Sequence, residues 1–282
     1  LPVARLSDHR GSPPTAGRPI MIEQITALAW PGLAVALGLT SLVWLASLVK
    51  RDASIIDIFW GLGFVTLAWF YRSRVPVDSF RQTLVPMLVT LWGLRLAIHI
   101  LWRNRGRDED YRYAAMRKKW GARFPLLSLV IVFWLQGFLF WAIGMPLLQV
   151  QISRQPIGVS WLDLVGSGLF AIGFFFEAVG DFQLARFKAN PASKGKVLDS
   201  GLWRYTRHPN YFGDATLWWG LGCFALATPG AAWTLVSPLL MSLLIIKVSG
   251  VALLEKGLGS TKPGYRDYVR RTSAFFPWPP GA

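Results

Sequence analysis

Asp57 is the first residue whose position calls for a chemical explanation. It stands in Ser54-Ile-Ile-Asp57-Ile-Phe-Trp60-Gly-Leu-Gly63, an apolar run in which an ionisable side chain is costly and marks a functional candidate by default. Trp60 follows three residues later, so on a helix its indole N–H shares a face with the carboxyl and both can meet one ligand. Asp57 and Trp60 are therefore the catalytic candidates, the other reading of Asp57 being an internal ion pair with Arg95 or His99. Those two are spaced i, i+4, and their face runs on into Arg103-Asn104-Arg105-Gly106-Arg107. Glu177 and Asp181 are also spaced i, i+4; two acids on one helix face can hold ribose hydroxyls or neutralise neighbouring arginines.

The densest polar segment is Gly201-Leu-Trp203-Arg204-Tyr205-Thr-Arg207-His208-Pro209-Asn210-Tyr211-Phe-Gly213-Asp214. Arg204 and Arg207 can clamp a phosphate or pyrophosphate. Asn210 can bond an amide through its own, and Tyr205 or Tyr211 can stack on a flat ring. Pro209 places Asn210 and Tyr211 near the N-terminus of the next helix, where donors favour an anion. A juxtamembrane anchor on anionic lipid accounts for the arginines, but not for Asn210, Asp214 or the glycines.

The elements that must position these groups are apolar. Of the 282 residues 53% are hydrophobic and only 16% charged, against about 25% in soluble domains. Residues 25–49 hold no ionisable side chain and, at about 1.5 Å per residue, exceed a hydrocarbon core of roughly 30 Å. The pattern predicts an all-α, polytopic membrane bundle of seven helices, near 24–49, 54–71, 79–102, 124–150, 160–186, 211–228 and 231–255. The net charge of +15 would point to nucleic acid in a soluble protein; here its distribution points elsewhere, and nucleic acid is not expected. Lys50 and Arg51, the stretch 103–123, the stretch 186–207 and the tail from Lys256 hold 21 of the 30 basic residues. All four fall on one side of the bundle, which the positive-inside rule makes cytoplasmic, with the C-terminus there and the N-terminus external. Residues 1–20 are polar with no apolar core, and are expected to be a disordered extension of a single domain, 21–282. One cysteine, Cys223, allows no intrachain disulfide, and His9, His99 and His208 are too scattered for a metal centre.

Gly-Leu-Trp-Arg-Tyr followed by Arg-His-Pro-Asn-Tyr-Phe-Gly-Asp resembles the C-terminal signature of the steroid 5α-reductase superfamily. Asn104-Arg105-Gly106-Arg107 is similar to the asparagine-arginine-glycine-arginine element of that family. Tyr265-Arg-Asp-Tyr268 through Phe275-Phe276-Pro277 resembles its closing segment. The resemblance implies a seven-helix reductase of a bacterial inner membrane that binds NADPH on its cytoplasmic side and reduces an activated C=C bond in a hydrophobic substrate from the bilayer. By the same resemblance Asn104, Arg105 and Arg107 would meet the adenosine and phosphates, Asp181 the ribose–nicotinamide end, and Asn210 the nicotinamide. Glu177, Arg204, Tyr205, Arg207, His208, Tyr211 and Asp214 would surround them, along the loops 103–123 and 186–211 and the tail 256–282. Membrane lipid is the expected surrounding partner; the oligomeric state is not specified.

The family's steroid enzymes pair a carboxyl of the second helix with a tyrosine of the third. Asp57 supplies the first, but no tyrosine occurs in the third helix here; Trp60, His99 or a tyrosine from elsewhere would have to replace it. Isoprenylcysteine and phospholipid methyltransferases, which use S-adenosylmethionine, share the arginine-histidine-proline-x-tyrosine element and a later acid that Glu255 would match. A non-catalytic binder that keeps the fold is the third reading.

Overall fold

The computed structural model describes residues 17–153, 155, 156, 158–249 and 264–281. Every regular element among them is helical, with no strand. Helices α1 (Gly17–Lys50), α2 (Ile55–Arg72) and α3 (Phe80–Asn104) come first. A short α4 (Tyr111–Trp120) leads into α5 (Phe124–Ser128), a π-helical segment (Leu129–Trp134) and α6 (Leu135–Ile143). Next come α7 (Met145–Ile152), α8 (Trp161–Ala189) and α9 (Pro209–Leu226). Then α10 (Val236–Leu243) runs into a π-helical segment (Leu244–Ser249), and α11 (Tyr265–Arg271) lies in the tail.

Among the described residues, five helices are long and apolar enough to cross a membrane: 22–50, 55–72, 80–104, 111–143 and 161–189. They leave large apolar side chains such as Leu42, Leu126 and Phe182 exposed on the outer surface of the bundle, as lipid contact requires. The count therefore differs from the seven expected. The fourth expected span, 124–150, is divided at Gly144, where α6 ends and Pro146 opens α7. The sixth, α9, has 18 residues and sits in the middle of the protein, with Leu217, Trp218, Leu221 and Phe224 fully buried. Its apolar character serves the core as well as any membrane. The seventh is described only as far as Ser249. Of the expected disordered stretch, 1–16 lie outside the described residues and 17–20 belong to α1.

Glycine spacing builds the central pair of helices. Gly166, Gly173 and Gly180 recur every seven residues on α8, as do Gly213 and Gly220 on α9, so each set lies along one face. A Cβ on Gly173 would stand 2.5 Å from the Gly213 carbonyl oxygen, and one on Gly166 2.9 Å from that of Gly220. Backbones this close pack through small residues, as in other apolar helix pairs. Gly168, in contrast, faces open space. The α8–α9 interface is the most extensive in the fold, and it fixes the polar end of α8 against the start of α9.

Candidate functional site: the cavity at the basic end

Where α3, α8 and α9 meet, Arg95 reaches from α3 to both acids of α8. Its Nη1 donates to Glu177 Oε1 at 2.7 Å, and its Nη2 to Asp181 Oδ2 and to the Glu177 carbonyl at 3.0 Å. Trp92 Nε1, one turn earlier on α3, donates to the second Glu177 oxygen at 2.9 Å. Asn210, at the first turn of α9, donates through Nδ2 to Asp181 Oδ1 at 3.0 Å, and His99 Nε2 lies 3.6 Å from Oδ2 of the same residue. Arg95 thus pairs with the α8 acids rather than with Asp57. A third carboxylate, Asp214, lies within the field of Arg95, Glu177 and Asp181, and its buried Oδ1 has no hydrogen-bond partner among the described residues. Three acids share one guanidinium.

Asp181 and Asn210 form part of the wall of a cavity of about 560 Å³. Its remaining polar lining comes from three chain segments. The end of α3 and the following turn supply His99, Arg103, Arg105 and Arg107; the end of α8 supplies Lys188; the α8–α9 connection supplies Arg207 and His208, with Tyr211 just inside α9. Gly106 has a φ of +72°, a conformation that a side chain disfavours, and this turn presents Arg105 and Arg107 at the same wall. Neither guanidinium has a hydrogen-bond or ion-pair partner among the described residues. The rings of His208 and Tyr211 stack 5.6 Å apart at 14°.

The tail closes the remaining side. Tyr265 and Tyr268 of α11 line the cavity, and the Tyr268 hydroxyl donates to the Trp203 carbonyl. Arg207 N donates to Ser273 O at 2.9 Å, Trp278 N to Tyr205 O at 2.9 Å, and Thr206 Oγ1 to Phe275 O at 2.8 Å. Burial pushes the Tyr268 phenol well above its ordinary range, which keeps it a neutral donor in this clasp.

Of the residues picked out in the sequence, Arg105, Arg107, Asp181, Arg207, His208, Asn210 and Tyr211 meet at the cavity. Glu177 and Asp214 lie behind it, in the Arg95 cluster. Asn104 is not in the wall; its side-chain oxygen accepts from Arg103 Nε at 3.2 Å. Arg204 and Tyr205 also lie outside it, because the turn Gly201–Arg204 faces them outward and buries Trp203 instead. Glu255, the acid of the methyltransferase reading, is outside the described residues.

Asp57 belongs to a second cluster. Its Oδ2 accepts from Arg112 Nη2 and its Oδ1 from the Tyr113 hydroxyl, both at 2.6 Å, and Gln136 Nε2 donates to that hydroxyl at 3.3 Å. A tyrosine thus reaches Asp57 from α4, where Tyr113 is the one buried residue. Trp60 does not converge with Asp57 on a polar contact. Its ring packs edge-on against Phe64 and Phe140, and its N–H has no hydrogen-bond partner among the described residues. Tyr113 and Arg112 were the residues a linear reading missed, whereas Arg95 was in view as a partner for Asp57. The trace of Tyr113 in the sequence is a tyrosine one helical turn before Arg117 in a strongly basic segment.

The profile of the family described as "Protein of unknown function (DUF1295)" matches residues 43–272. An uncharacterized protein of Schizosaccharomyces pombe, C594.04c, is 26% identical over 275 residues, covering 87% of this chain and 78% of its own. A protein of Ustilaginoidea virens named "Probable O-methyltransferase ustE" is 42% identical over 62 residues, which is 22% of this chain and 21% of that one. No solved structure matches.

Proposed function

This chain belongs to the DUF1295 family, and we propose that it is a membrane reductase that binds NADPH in the basic-end cavity and reduces an activated C=C bond of a hydrophobic substrate. The reading includes seven membrane spans, a cytoplasmic basic side, and kinship with the steroid 5α-reductase superfamily. The observation that carries it is the lining of the cavity. Arg103, Arg105, Arg107, Lys188 and Arg207 converge on a space that also offers Asp181, Asn210 and a stacked His208–Tyr211 pair. A dinucleotide phosphate with about four negative charges fits that donor set, and its amide and hydroxyl groups fit Asn210 and Asp181.

When bound, NADPH supplies the hydride. The chain's own residues supply the rest. Arg105 and Arg107 would hold the cofactor's phosphate oxygens, with Arg103 kept beside them by Asn104. Asp181, fixed from behind by Arg95, accepts a hydroxyl or amide proton. Tyr113 would swing its one phenolic hydrogen from Asp57 to the substrate oxygen on which negative charge develops, while Arg112 would keep hold of the Asp57 carboxylate left behind. Tyr211 links the two clusters, since it lines the cavity and lies within reach of the charges of both Arg103 and Arg112.

A methyltransferase using S-adenosylmethionine is the second reading, supported by the 62-residue similarity to the O-methyltransferase. Its cofactor carries no phosphate and would leave Arg105 and Arg107 without an anionic partner. Thermal unfolding of the detergent-purified protein with NADPH, NADH or S-adenosylmethionine separates the two. NADPH is expected to raise the transition temperature most; stabilisation by S-adenosylmethionine alone would replace the reductase with the methyltransferase. With NADPH binding established, Tyr113→Phe should retain the cofactor and lower turnover about a hundredfold. Undiminished turnover would remove Tyr113 from the mechanism.

A further inference from the structure

A second pocket, of about 340 Å³, opens where the end of α1, the α1–α2 loop, α4 and the start of α5 meet. One part of its lining is cationic and hydroxylic, with Arg51, Arg117 and Ser128; the other is apolar, with Leu48, Phe124 and Pro125. Arg51 is the one described non-glycine residue with a positive φ, +54°, and its guanidinium has no partner among the described residues. Arg117 is held by Glu109 through Nε and Nη2 and stacks 4.7 Å over the Phe124 ring. Its Nη1 makes no hydrogen bond among the described residues. An exposed guanidinium held at a disfavoured φ beside a half-apolar pocket matches an amphiphile with an anionic head. The pocket adjoins the lipid-facing surface of the bundle, as Val49 on the last turn of α1 is 87% exposed.

We propose that this pocket binds the phosphate of an anionic phospholipid headgroup, and that the bound phosphate holds α4 where Tyr113 pairs with Asp57. Two features tie the pocket to that pair. Arg117 follows Tyr113 by one helical turn and shares its face. Glu109, which clamps Arg117, also accepts from the backbone N–H of Ala53 at 2.7 Å, just before α2. Because α4 buries only Tyr113, polar contacts and whatever fills the pocket set its position. An inorganic phosphate would satisfy the arginines and leave the apolar part of the lining bare, so a lipid is the better match. The site lies apart from the cavity assigned to NADPH and does not depend on the reductase reading.

The full chain would be placed in nanodiscs of phosphatidylcholine, alone or mixed with phosphatidylglycerol. Lipid retention would be followed by native mass spectrometry, and the mobility of residues 108–120 by hydrogen exchange. Phosphatidylglycerol should be retained in preference to phosphatidylcholine and should slow exchange in α4. Arg51→Gly relieves the positive φ, so it should fold as well as the parent in phosphatidylcholine, yet retain phosphatidylglycerol about tenfold less. Arg74→Gln, at the other end of α2, should leave retention unchanged. Equal retention of both lipids, or phosphatidylglycerol binding by Arg51→Gly at the parent level, would overturn the proposal. Inorganic phosphate slowing exchange equally in phosphatidylcholine discs would overturn the lipid as the ligand.

Discussion

Arg81, in the first turn of α3, and Arg95, about four turns further on, are both paired with acids of α8, but the two arrangements differ in charge balance. At the Arg81 end one guanidinium meets one carboxylate in two parallel hydrogen bonds of 2.6 Å to Asp163. Arg81 Nη1 donates to the Pro156 carbonyl at 3.2 Å, and Asp163 accepts as well from the Ser160 backbone and hydroxyl. Asp163 is buried, and both its oxygens are used. At the Arg95 end one guanidinium serves Glu177 and Asp181, with Asp214 nearby, and the cluster opens on the cavity. A closed, neutral pair fastens helices. An open cluster with surplus acid and an unpartnered buried oxygen needs further donors, and a ligand can bring them.

The largest expected effect separates these two clusters. Arg95→Leu leaves Glu177 and Asp181 without their cation and should cost about 3–5 kcal/mol, enough to empty the folded population in detergent. Replacing the other pair together, as Arg81→Met with Asp163→Leu, should cost about 1 kcal/mol, mainly through the lost α8 cap. Tryptophan-monitored unfolding checks both, and equal losses would break the contrast. Next in size, Arg105→Ala should weaken NADPH binding about tenfold to a hundredfold with the ligand-free transition temperature unchanged. A fall in that temperature instead would make Arg105 a structural residue.

Smaller still is a pH effect from a third ion pair, Glu109 with Arg117. Burial alone would raise the Glu109 pKa, but the Arg117 hydrogen bond, the Ala53 N–H and the Arg117 charge hold it below its ordinary 4.5. A carboxyl depressed in the folded state contributes stability above its unfolded pKa, and this is lost as pH falls through the folded value. Protection of α4 from hydrogen exchange should therefore decline below about pH 4.5, and Glu109→Gln should flatten that decline. The smallest effect is expected at Gly106→Ala: about 1 kcal/mol in stability from the left-handed φ, with a modest loss of NADPH affinity as the Arg105–Arg107 turn shifts.

The sequence alone determined the helical class and the apolar surface, because hydropathy is a local property that adds along the chain. It also brought Arg105, Arg107, Arg207, His208, Asn210 and Tyr211 into view, since adjacency in two short segments already limits where they can go. Tertiary structure decided which acids answer which arginine. Arg95 and Asp57 lie on neighbouring helices and looked like partners, yet the glycine contacts of α8 with α9 deliver Glu177 and Asp181 to Arg95. That leaves Asp57 to Arg112 and Tyr113 of α4. Spacing within one helix fixes a face but not the neighbour that packs on it. For buried ion pairs, whose cost depends on complete hydrogen bonding, that neighbour decides the outcome.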